Sequence, residues 1–147
     1  MVKSPVGASE VFKNLSGKFV KSDGSGRVEI ATAAAVNIVG WAVTGEITAS
    51  ATEGATKVGV NVNCEAVYEM PAILNAGTAP SEAALIAAVG ETCDIKMVDT
   101  NYQYANVDTA TTEILKIVDY RYYGSAVGQQ TVLVQLNPIK AEGTGVV

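Results

Sequence analysis

Lys57 to Met70 reads KVGVNVNCEAVYEM, and its alternation decides the fold class. Val58, Val60, Val62, Cys64, Ala66, Tyr68 and Met70 share one parity. Gly59, Asn61, Asn63, Glu65 and Glu69 share the other, with Val67 its one apolar member. Side chains two apart on a strand point to the same face, so this stretch predicts a β-strand with one dry side and one wet side. At about 3.3 Å per residue it would run roughly 45 Å, so a bend or bulge is expected near Cys64. Pro71 is expected to close the run, because proline cannot donate to a ladder.

On the N-terminal side, Arg27–Ala31, Asn37–Val43 and Ile47–Ser50 read as short strands, the second carrying the only tryptophan, Trp41. The Glu53-Gly54 pair marks a turn. On the C-terminal side, Asn75, Gly77 and Pro80 form a loop ahead of one helix at Ser81–Val89. Ser81 suits its N-cap, Glu82 its first turn and Gly90 the position past its end. Strands follow at Cys93–Val98, Tyr102–Val107, Glu113–Tyr123 and Thr131–Leu136, where Val132, Val134 and Leu136 share a face. Seven or eight strands with one small helix predict a mainly β chain, a single compact β-sandwich or barrel-like domain over 27–138. Residues 139–147 read as a flexible C-terminal tail.

Residues 1–26 differ. Pro5, Gly7, Gly17, Gly24 and Gly26 and five serines separate Val6, Val11, Phe12, Leu15, Phe19 and Val20 at no regular spacing. This is read as an extended N-terminal arm that orders on contact with a partner, the other reading being a disordered terminus. The residues expected to dock are Lys3, Val11, Phe12, Lys13, Leu15, Lys18, Phe19 and Lys21. Deleting residues 1–26 is expected to leave a folded domain.

A chain of 147 residues fits one domain that can bury its own core. Residues 1–27 hold five basic and two acidic side chains, a local charge of +3, and the other 120 hold five and thirteen, a local −8. An acidic body argues against nucleic acid, whose binding requires a basic face. Two cysteines make no disulfide scaffold, and Cys64, on the dry parity, reads as a buried free thiol. No window is long and apolar enough for a membrane span, and the N-terminus lacks the apolar core of a signal peptide. The chain is expected to act without export, with no membrane partner.

Chemistry-bearing motifs are sparse. Without histidine the usual serine and cysteine hydrolase arrangements and most zinc sites are excluded. Glu65 and Glu69 stand about 13 Å apart along an ideal strand, too far for a glycosidase pair. Asp23-Gly24-Ser25-Gly26, with Asp94, Asp99 and Asp108, has no calcium-loop spacing and reads as turn chemistry. No phosphate-cradling glycine motif follows a strand. No enzyme activity, cofactor or metal is expected. Tyr102 and Tyr104, and Tyr120 and Tyr122, would form a cross-strand ladder if their strands pair, either as sheet packing or as an interaction surface.

The order of these features resembles the decoration, or cement, proteins of tailed-bacteriophage capsids. The resemblance rests on a Gly/Ser-rich arm ahead of VGVNVN (58–63) and VYEMP (67–71), then GETCDI (90–95), NYQYANVD (101–108) and LKIVDY (115–120). It covers roughly residues 27 to 138, and its motifs are structural rather than catalytic. It implies a β domain on the virion exterior, made in the host cytoplasm and stabilising the capsid by bridging major capsid protein subunits as a homotrimer. An N-terminal segment, here residues 1–26, would reach across capsid subunits. The alternative is a carbohydrate- or receptor-binding β module of the tail-fibre type, in which Trp41 or the tyrosines would contact sugar.

Overall fold

The computed structural model describes residues 1–138, which form twelve strands and one helix. In chain order the strands are β1 (Val2–Pro5), β2 (Val11–Phe12), β3 (Phe19–Ser22), β4 (Val28–Ile30), β5 (Ile38–Val43), β6 (Ile47–Thr48), β7 (Lys57–Asn61) and β8 (Tyr68–Ile73). After the helix α1 (Glu82–Ala88) come β9 (Thr92–Val98), β10 (Tyr102–Asn106), β11 (Leu115–Tyr122) and β12 (Gln130–Leu136). The described residues are mainly β with one short helix, as the alternation predicts. The tail expected over 139–147 lies outside the described residues.

The long alternating run breaks around Cys64 into two strands of different sheets, β7 and β8. The asparagines on its wet parity do this. Asn61 Oδ1 accepts from Asn63 N and Asn63 Oδ1 accepts from Glu65 N, each at 3.0 Å, so side chains capture donors that a continuing ladder would use. Pro71, expected to close the run, instead sits inside β8 opposite Thr131. The pairing of β8 with β10 begins only at Ala72, which gives Pro71 the edge-like setting a strand tolerates.

One sheet has the order β1-β7-β5-β3-β4 and the other is a closed barrel of β10-β8-β12-β11-β9. The five-stranded sheet curls: Val6, just past β1, bridges Val28 of β4, and Gly7 N donates to Val28 O at 3.0 Å. Inside the curl lies one core of Val6, Phe12, Val20, Val28, Ala42, Ala49, Val58 and Val60, capped by the β2–β6 pair that carries Phe12. The barrel holds the larger core, including Met70, Leu85, Ile95, Leu115, Ile117, Val132 and Val134. β3 serves both. Its consecutive residues alternate sides, so Phe19 enters the barrel core and Val20 the other.

The extended arm expected over 1–26 is therefore corrected. The segment contributes β1, β2 and β3, and β3 lies between β5 and β4. Its apolar residues escape a periodic reading because each strand is only two to four residues long. Burial of Phe12 and Phe19, each 1% exposed or less, stabilises by about 1.5–3 kcal/mol per side chain and outweighs the freedom of the chain.

The helix forms as its caps predict. Ser81 Oγ accepts from Ala84 N at 3.1 Å, and Leu85 and Ala88 turn inward.

Candidate functional site

Where β5 of the curled sheet faces β8 and β12 of the barrel, a half-open groove of about 540 Å³ remains. Trp41 of β5 lines it, and the indole is held rigidly. It stacks on Tyr68 with centroids 4.4 Å apart and planes 3° from parallel, while Phe19 meets it edge-on at 4.9 Å. Glu69 of β8 faces the same space. Its Oε1 accepts from the hydroxyls of Thr131 at 2.7 Å and Tyr123 at 3.0 Å. Burial, and a hydroxyl hydrogen bond to a carboxylate whose charge opposes a phenolate, raise the Tyr123 pKa.

Lys18, just ahead of β3, closes one side of the groove, and its Nζ donates to Thr44 O. Burial lowers the Lys18 pKa, and the charge of Glu46 opposes that shift in part. Asn14 and Leu15 form the lip. Leu15 is 88% exposed with φ of 55°, an unusual backbone for a residue with a side chain. Its turn is pinned by buried Phe12 on one side and buried Ser16 on the other, Ser16 Oγ accepting from Gln103 N at 2.8 Å.

The residues expected to dock on a partner scatter. Lys13 and Lys18 come together around Glu46, which accepts from Lys13 Nζ and from Asn14 N, each at 3.2 Å, and Leu15 lines the groove beside Lys18. Lys3 is exposed on β1, and Lys21 pairs with Glu29. Val11 is half-buried, and Phe12 and Phe19 are buried, so the two phenylalanines are corrected from docking residues to core residues. The positive charge of the segment is largely matched internally, because Arg27 also pairs with Asp23 and Glu53.

The tyrosine ladder does not form. β10 pairs with β9 and β8, while β11 pairs with β12 and β9, so β9 separates the two tyrosine-bearing strands. Asp94 redirects the chain. Its carboxylate accepts from Thr111 N, Thr112 N and Glu113 N at 2.8–2.9 Å, shaping residues 107–114 as a crossing rather than a hairpin. Asp23 serves its turn, accepting from Ser25 N, Arg27 N and Arg27 Nε. Among the described residues no three His, Cys, Asp or Glu side chains are placed to hold a metal, and no helix is long and apolar enough to cross a membrane. Both cysteines are free thiols, but Cys93 is the buried one and Cys64 is only partly covered.

The sequence singled out Trp41 and placed Glu69 on a wet face; that they share a groove with Lys18 depends on contacts between two sheets. Comparison with protein-family models, with curated proteins and with solved structures returned no match in any of the three.

Proposed function

We propose that this chain is a structural virion protein that binds the outer surface of a phage capsid and stabilises it by bridging capsid subunits as a homotrimer. The observation that carries this reading is the open edge of the curled sheet. β1 pairs with β7 on one side only, and Met1 and Val2 are 80% and 51% exposed beside an exposed Lys3. An exposed edge strand with apolar side chains is a template for pairing with another chain, and strand addition recognises a partner largely through the backbone. With residues 6–22 folded into the body, attachment falls to this edge and not to a free arm. The resemblance of residues 27 to 138 to decoration proteins points the same way. Each edge contact is modest, and three-fold repetition multiplies it into tight attachment.

Native mass and co-sedimentation test the reading. The purified protein is expected at three times 15.2 kDa and to pellet with capsids assembled from the major capsid protein. Val2→Lys is expected to weaken pelleting while the fold persists. A monomer that never pellets with capsids would overturn the assignment.

A further inference from the structure

We propose that the groove between β5 and β8 is a binding site for a neutral oligosaccharide. Three kinds of group converge there. The Trp41 indole, locked by its stack on Tyr68, offers an apolar ring at a fixed angle, which suits the C–H face of a sugar. Glu69 is held by Tyr123 and Thr131 through Oε1 alone. Among the described residues Oε2 accepts no hydrogen bond, which leaves an oriented acceptor open to a hydroxyl donor. Lys18 uses one ammonium proton on Thr44 O and keeps two for acceptors, and the Asn14 side-chain amide at the lip has no protein partner among the described residues.

This combination selects against other ligands. A phosphate-bearing ligand would meet the Glu69 carboxylate on an acidic body. A wholly apolar ligand would strip water from Glu69, Lys18 and Asn14 without replacing their hydrogen bonds. A polyhydroxylated ring supplies donors, acceptors and an apolar face together. The volume, about 540 Å³, falls within the range of roughly 300–1,000 Å³ usual for small-ligand sites. The groove lies apart from the β1 edge, so the site does not depend on capsid attachment.

Trp41 is the only tryptophan, so emission excited at wavelengths that tyrosine does not absorb reports on this groove alone. The test is a fluorescence titration with maltotriose, cellotriose and N,N′,N″-triacetylchitotriose, followed by an array of bacterial-surface glycans. At least one is expected to give a saturable change with a midpoint at or below the millimolar range, and Glu69→Gln, which removes the charged acceptor, is expected to weaken it about tenfold. The circular dichroism of Glu69→Gln should match that of the parent. No response across the panel, or a response that Glu69→Gln leaves unchanged, would overturn the proposal. So would an emission change that follows protein concentration without sugar, which would assign the groove to a second copy of the chain.

Discussion

The side-chain amide of Gln103 pairs with the backbone of Phe19 as a neighbouring strand would. Oε1 accepts from Phe19 N and Nε2 donates to Phe19 O, both at 3.0 Å, and Nε2 also donates to Ala31 O at 2.9 Å. Gln103 is fully buried on β10, so one barrel side chain stitches the curled sheet to the barrel. Gln103→Leu keeps the bulk but removes the acceptor of Phe19 N–H and a donor to Ala31 O. The expected loss is about 2–3 kcal/mol, read as a lower urea midpoint. An unchanged midpoint would mean that water or a shifted strand replaces the amide.

Gly17 holds the same junction. Its N–H donates to Gln103 O at 2.8 Å, and a β-carbon there would lie 2.5 Å from Gln103 Oε1 and 2.6 Å from Met70 Cε. Gly17→Ala is therefore expected to destabilise by about 1–3 kcal/mol through overpacking. Gly45, where an added β-carbon meets open space, is the control, and Gly45→Ala should leave the thermal midpoint nearly unchanged.

Deleting residues 1–26 should abolish the folded state. The deletion removes β3 from between β5 and β4 and takes Phe19 from one core and Phe12 and Val20 from the other. A cooperative thermal transition in the truncated protein would refute this account of the segment.

The two thiols should separate kinetically. Burial, and secondarily the charge of Asp94, push the Cys93 pKa far above the usual thiol range, and the side chain is enclosed. Cys64 is partly exposed. An aromatic disulfide reagent at pH 8 should titrate one thiol in the native protein and two in denaturant, and Cys64→Ser should remove the native signal.

Acid should weaken the fold through identifiable carboxylates. The Arg27 hydrogen bond holds Asp23 below the usual carboxylate range, and the Asn14 N–H does the same for Glu46. A pKa lower in the folded than in the unfolded state gives stability that is present above the unfolded value, about 4, and lost as pH falls through the folded one. Glu10 acts in the opposite sense: burial raises its pKa, so protonating it in acid relieves a cost. Urea midpoints at pH 7 and pH 3 should therefore lie closer together in an Asp23→Asn, Glu46→Gln double variant than in the parent.

Part of the groove could be anticipated and part could not. Trp41 stands out in composition and Glu69 by parity, but the open Oε2 of Glu69 arises from hydroxyls of Tyr123 and Thr131, more than fifty residues away in the chain. No local pattern encodes such a meeting.

The features legible from residue order alone are local. The alternation of residues 57–70, the cap at Ser81 and the shared face of Val132, Val134 and Leu136 follow from side-chain periodicity and hydrogen-bonding capacity within a few residues. Contacts between distant segments are what bring residues 1–26 into the body, set β9 between the two tyrosine strands and let Gln103 close the seam between curl and barrel. Strands of two to four residues carry too little periodicity to be read. Their stability comes from partners distant in the chain, and those pairings are set by which faces can be buried together.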